Sequence, residues 1–242
     1  MHSSGSKLLF AGTIFSSAFL LFLVQPLIAK QILPWFGGSS AVWALCMVFF
    51  QVTLLAGYAY SDWVSRHLAP RRQVVVHLTL LALSLAFLPI LAGPQWKPAG
   101  DADPTLWILG LLIATIGLPY FLLSTTGPLI QSWVSRTLIG AHVYRYFSLS
   151  NLASLLALMS YPFILEPRAA LATQAYVWSG VYALFTLLCA GAAFYFLRHA
   201  HALPPEFRHE AGPDVGFHEH KQGRFQVRKT AAHGEKEIQG EI

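Results

Sequence analysis

The sequence QPLIAKQILPWFGGSSAVW, residues 25–43, joins two long apolar runs and holds most of their polar atoms. Its glycines at 37 and 38 free the backbone to reverse direction, and Pro34 is expected to stop the preceding helix. Ser39 or Ser40 is placed to cap the following helix by accepting from its first N–H groups. The stretch therefore predicts a tight connection between two membrane helices.

A second interpretation of this stretch is functional. Gln25 and Lys30 lie within an otherwise apolar helix, close to the positively polarised start of the next helix. Such a place can hold an anionic group or pair with a carboxylate. Both interpretations stay open from the residues alone.

Composition assigns the chain to the membrane. Of its 242 residues, 55% are hydrophobic and 11% charged, and the mean hydropathy is +0.52. Soluble domains carry about 25% charged residues, so an integral membrane protein is predicted. Cys46 and Cys189 both fall inside apolar runs, which predicts buried core residues and no disulfide framework or thiolate metal site.

Six apolar segments have about the length needed to span a bilayer, and they do not alternate as barrel strands do. The predicted fold is all-α, a polytopic six-helix transmembrane bundle over residues 1–197. Its helices are expected at about 8–34, 40–64, 73–91, 105–134, 144–165 and 173–197.

Charge predicts the orientation, because basic residues in short loops mark the cytoplasmic face. With six crossings, one face receives Lys7, Arg66, Arg71, Arg72, Arg136, Arg145 and Arg198. The other receives Lys30, Lys97 and Arg168 beside Asp101, Asp103 and Glu166. Both termini are therefore expected in the cytoplasm. The excess of basic residues is explained by this topology, and no nucleic-acid partner is predicted.

Residues 198–242 form a polar tail with equal numbers of acidic and basic residues and few apolar ones. This composition predicts a disordered cytoplasmic segment. His218, Glu219 and His220 are adjacent in the chain and lack the spaced ligand pairs of a zinc site, so no metal and no cofactor is predicted.

Polar residues inside the predicted helices supply two further hypotheses. Asp62, followed by Arg66, Arg71 and Arg72, predicts a loop ion pair that clamps the ends of two helices. The run GLPYFLLSTTGP, residues 117–128, predicts either a kinked packing helix or a broken helix that lines a polar cavity. Gln51, Gln131, Asn151 and Gln174 are typical of hydrogen bonds between helices.

Four runs, residues 17–30, 36–43, 117–128 and 150–155, resemble the membrane part of bacterial fused major-facilitator/spermidine-synthase-like proteins. The resemblance implies one half of a major-facilitator fold in the inner membrane. Separately, Gly57, Asp62 and the Arg71–Arg72 pair resemble the loop between the second and third helices of major facilitator transporters, in which the acid and the basic residues latch the inner gate. The family's soluble aminopropyltransferase-like domain has no counterpart after Leu197, so no enzymatic activity is expected.

Two functions remain open at this point. One is a transporter-like half that handles a small polar or charged solute such as a polyamine and needs a second copy to enclose a path. The other is a non-catalytic anchor for a soluble polyamine-synthase-like partner. Candidate solute-binding residues are Gln25, Lys30, Gln51, Thr125, Thr126, Asn151 and Glu166; candidate gate residues are Asp62, Arg66, Arg71 and Arg72. Lys30 and Glu166 are either partners near the outer mouth of a central polar cavity or two independent interfacial anchors.

Overall fold

A computed structural model describes residues 4–97, 104–137 and 144–200, which are mostly helical and contain no strand. They belong to the first of two compact units, Met1–Ala211; the second, Gly212–Ile242, lies outside the described residues, as does the predicted disordered tail beyond residue 200. The helices are α1 Ser4–Phe36, α2 Ser40–His67, α3 Pro70–Ser84, α4 Pro104–Thr137, α5 Tyr144–Arg168 and α6 Leu171–Ala200.

Five of these helices, all except α3, are long and apolar enough to cross a membrane, so the chain is compatible with a multi-pass membrane protein. Their ends agree with the predicted boundaries to within about four residues. The helix α4 contains a π-helical turn at Ile113–Gly117, and α5 contains another at Tyr161–Leu165.

The third predicted helix is shorter than expected, and the prediction of a helix over 73–91 was wrong at its second end. The helix α3 stops at Ser84, and a 3-10 turn, Leu85–Phe87, follows it. Pro89 explains the stop, because it lacks an N–H and forces Leu88 into an extended conformation. At 15 residues, α3 rises roughly 22 Å, short of the roughly 30 Å hydrocarbon core.

The first turns of α1 and the last turns of α6 lie together and define one end of the bundle. The ring of Phe10, near the start of α1, packs edge-on against Tyr195, near the end of α6, with 5.6 Å between centroids. Trp133, near the end of α4, stacks on Phe196 at 4.9 Å. We call this the Trp133 end, and we call the opposite end, where α1 finishes, the Lys30 end.

The third segment nevertheless runs from one end of the bundle to the other. Gln73, in the first turn of α3, accepts a hydrogen bond from Trp133 Nε1 at 3.0 Å. Ile90 and Ala92, beyond Pro89, are held by the side chain of Gln31 near the end of α1. The segment therefore covers most of its path as helix and the remainder, from Leu88 onward, as non-helical chain.

The turn between α1 and α2 is tight, as predicted, but Pro34 does not end α1. The helix continues to Phe36, and the N–H of Gly37 bonds the carbonyl of Leu33 at 2.9 Å. Gly37 has φ +80°, which a residue with a side chain rarely adopts. Ser39 caps α2 by accepting from the N–H of Val42, which confirms one of the two predicted caps.

The helices α1 and α4 form the centre of the bundle. Ser17 on α1 donates to the carbonyl of Leu123 on α4 at 2.7 Å. Trp178 on α6 donates to the carbonyl of Leu20 on α1 at 3.0 Å. The outer helix α5 is much less covered by its neighbours than α1. In α5, 17% of its apolar 18-residue stretch is buried, against 50% for the corresponding stretch of α1. Cys46 and Cys189 are buried and unpaired, as predicted.

Candidate functional site

The side chains of Lys30 and Glu166 form an ion pair that joins α1 to α5 at the Lys30 end. Lys30 Nζ lies 3.4 Å from Glu166 Oε1, and the two side chains are 36% and 48% exposed. This confirms the predicted pairing. The residues meet because Lys30 ends a long apolar stretch of α1, while the π turn of α5 and Pro167 place Glu166 at the matching depth.

Gln25 lies deeper in the same helix as Lys30. Its Nε2 donates to the hydroxyl of Tyr120 on α4 at 3.2 Å, and the ring of Tyr120 lies 4.9 Å from that of Phe50 on α2. Lys30 is five positions beyond Gln25, which is about 7.5 Å along a helix. The structure thus places the Gln25 amide and the Lys30–Glu166 pair at two depths of α1, and each of them ties α1 to a neighbouring helix.

The hydroxyls of α4 turn back onto their own helix. Thr125 and Thr126 are fully buried, and both donate to the carbonyl of Leu122, at 2.8 and 2.7 Å. Ser124 donates to the carbonyl of Phe121 at 2.6 Å. Such bonds to carbonyls of the preceding turn tend to bend a helix, and Pro128 removes a further bond from the backbone ladder of α4. This geometry favours the kinked packing helix over one that lines a polar cavity.

Two candidate residues lie apart from these contacts. Gln51 on α2 and Asn151 on α5 are exposed on the outside of the bundle. Neither is brought near Gln25 or the Lys30–Glu166 pair by any contact between the described residues. Their solute-binding role stays a prediction.

The predicted clamp between the ends of α2 and α3 was wrong. Asp62 pairs with Arg66 within α2, Oδ1 to Nε at 2.8 Å, and both side chains are more than half exposed. Residues four apart on a helix are nearest neighbours, so Arg66 reaches Asp62 before the loop does. Arg71 and Arg72 are exposed, and no ion pair between described residues links them to Asp62.

Hydrogen bonds to backbone carbonyls hold that connection instead. Gln73 Nε2 donates to the carbonyl of Leu68 at 2.7 Å, and its Oε1 accepts from Trp133. Arg136 on α4 donates to the carbonyl of Ser65 at 2.9 Å. Gln73 therefore ties the α2–α3 turn to α4 from a fully buried position.

Sequence reasoning missed a buried polar stripe on α3, formed by Gln73, His77 and Ser84, all 0% exposed. His77 Nε2 lies 3.3 Å from Thr126 Oγ1, and Ser84 shares a 2.7 Å hydrogen bond with the hydroxyl of Tyr182 on α6. The spacing of four and seven residues puts the three on one helix face, a signal visible in the sequence. Apolar residues such as Val75 and Leu83 lie on the exposed side.

The described residues contain no group of three His, Cys, Asp or Glu side chains able to hold a metal. His218, Glu219 and His220 lie outside the described residues. Comparison with protein-family models, with curated proteins and with solved structures gives no match to this chain.

Proposed function

We propose that the chain is a transporter-like membrane domain in which the Lys30–Glu166 pair is a gate at the Lys30 end of a solute path. The ion pair between α1 and α5 is the observation that carries this proposal. The inner membrane is the proposed location, with the Trp133 end and both termini on the cytoplasmic side, because the basic residues concentrate there.

The exposure of the pair suits a contact that opens and closes. Separating a buried ion pair strongly destabilises a protein, because it leaves an unpaired buried charge. An exposed pair contributes only about 1 kcal/mol or less to stability. At 36% and 48% exposure, Lys30 and Glu166 can separate at low cost. Because a charge is costly deep in the apolar layer, both side chains stay near its surface when they separate. Gln25 lies behind them as the next polar group on α1.

A complete path requires a second bundle in this proposal. In the single bundle, the hydroxyls of Thr125 and Thr126 bond a carbonyl of their own helix, α4. The candidate residues Gln51 and Asn151 face outward from α2 and α5, the two spanning helices that are least buried. A second copy against α2 and α5 would bring these amides into a shared polar interface, which lipid cannot provide. The solute class we propose is a small cationic or polar molecule such as a polyamine.

A second function, a membrane anchor for a soluble polyamine-synthase-like partner, is favoured by a different observation. Arg66, Arg71 and Arg72 are exposed together around the α2–α3 turn at the Trp133 end. An exposed basic cluster suits an acidic protein surface. Anchoring predicts sensitivity in this turn and tolerance at Lys30.

Uptake into proteoliposomes tests the proposal, with radiolabelled spermidine as the probe. We expect Lys30→Ala and Lys30→Glu to reduce uptake at least tenfold, and Lys30→Glu combined with Glu166→Lys to recover part of it. The matched control is the charge swap of the exposed pair within α2, Asp62→Arg with Arg66→Asp, which should leave uptake unchanged.

The two functions give different results in this assay. Mild, additive effects at Lys30 and Glu166 with no recovery in the swap would reject the gate. Absence of uptake by the wild-type chain, together with retention of a soluble partner that Arg71→Glu and Arg72→Glu release, would favour the anchor.

A further inference from the structure

A crevice of about 310 Å³ lies between α1, α5 and α6, and its walls are almost wholly apolar. Leu23 and Leu27 of α1, Ile164 of α5, and Val177 and Val181 of α6 are among its lining residues. Ile164 and Val177 are more than half exposed, so the crevice opens on the side of the bundle, towards the bilayer. An apolar opening of this kind at membrane depth suits a hydrocarbon chain.

The ion pair follows the lining residues of the crevice along both α1 and α5. Leu23, Leu27 and Lys30 are four and three residues apart, so they lie on one face of α1 and Lys30 follows the crevice wall directly. On α5, Glu166 comes directly after the lining residues Ile164 and Leu165. An apolar wall therefore meets a charged rim at the Lys30 end.

The rim holds two positive groups and one negative group. Arg168 is exposed, and its Nη1 donates to the carbonyls of Phe163 at 3.0 Å and Ile164 at 3.4 Å, which leaves other guanidinium donors open. Glu166 uses Oε1 for Lys30 and is 48% exposed. The rim can thus offer cations to a phosphate and a carboxylate oxygen to an N–H donor.

We propose that the crevice binds one phospholipid whose head group carries a primary ammonium, as in phosphatidylethanolamine. One acyl chain lies along Leu23, Leu27 and Val177, the phosphate is held by Lys30 and Arg168, and the ammonium donates to Glu166. The choice of head group follows from charge complementarity, because phosphatidylcholine has no N–H to donate and phosphatidylglycerol has no cation to offer Glu166. The site does not depend on the proposed transport function.

Native mass spectrometry of the full chain in mild detergent tests this site. Phosphatidylethanolamine, phosphatidylcholine and phosphatidylglycerol with identical acyl chains are offered at equal concentration. We expect one lipid to be retained per chain, with phosphatidylethanolamine favoured about fivefold over phosphatidylcholine because one charged hydrogen bond is lost. Glu166→Gln should remove most of that preference.

Filling the crevice provides the second arm. Val177→Trp adds bulk inside the crevice at a 56% exposed position, and Val52→Trp is its matched control at a 61% exposed position on α2. We expect Val177→Trp to retain about tenfold less lipid than the wild-type chain and Val52→Trp to retain the same amount. Both variants should keep the helix content of the wild-type chain. Retention by Val177→Trp, or equal retention of the three lipids by the wild-type chain, would overturn the proposal.

Discussion

The side-chain amide oxygen of Gln31 accepts a hydrogen bond from the backbone N–H of Ala92 at 3.0 Å, across 61 residues of chain. The same amide donates from Nε2 to the carbonyl of Ile90 at 2.9 Å. Non-helical backbone is tolerated at membrane depth only where protein or water satisfies it. Gln31, only 6% exposed, therefore satisfies two backbone groups of the irregular end of the third segment.

Gln31→Leu is expected to destabilise the bundle by about 2–4 kcal/mol, because two backbone groups lose their partner in an apolar setting. Gln51→Leu is the matched control, since Gln51 is exposed on α2 and should change stability by less than about 0.5 kcal/mol. Thermal unfolding in detergent measures both variants. Equal melting temperatures for the two would contradict the role of Gln31.

Gly57 lets α2 approach α4. A Cβ at this position would overlap Ser124 Oγ and come within 2.9 Å of Ser124 Cβ and 3.2 Å of the Phe121 carbonyl. Gly57→Ala should therefore destabilise the chain by about 1–3 kcal/mol through overpacking.

Gly180→Ala is the control for Gly57→Ala. An added Cβ there meets nothing within 4 Å, so the change should be neutral or slightly stabilising in a helix. Unfolding by a denaturing detergent compares the two variants. A neutral Gly57→Ala would show that α2 and α4 can separate without loss.

The hydrogen bond between Ser84 and Tyr182 should appear in a double-mutant cycle. Ser84→Ala and Tyr182→Phe each remove one side of a buried 2.7 Å contact between α3 and α6. We expect a coupling energy of about 0.6–1.7 kcal/mol, the range for hydrogen bonds between membrane helices. Strictly additive losses in thermal stability would show that the two hydroxyls do not depend on each other.

Reporter fusions test the proposed orientation. Fusions after Arg72 and after Arg145 should behave as cytoplasmic, and a fusion after Gly100 as exported, because basic residues concentrate on one face. The fusion after Gly100 is the decisive one, since it lies beyond the short helix α3. A cytoplasmic signal there would mean that the third segment returns without crossing.

Apolar run length was enough to predict five helices with their ends, because a bilayer demands a long uninterrupted stretch. The Lys30–Glu166 pair was also predictable, since both residues end their apolar segments at the same face of the predicted topology. The early end of α3 was present in the sequence as Pro89, and our prediction extended the helix through it.

Tertiary structure alone decided which polar residues lie inside. Gln31 and Gln51 are the same residue type in similar apolar helices, yet one is buried against Ala92 and the other faces outward. In a membrane the interior is no more apolar than the surroundings, so hydrophobic periodicity does not reveal how a helix is rotated. For α3, contacts with Trp133 and Tyr182 turn the polar face inward, and those partners lie 60 and 98 residues away in the chain.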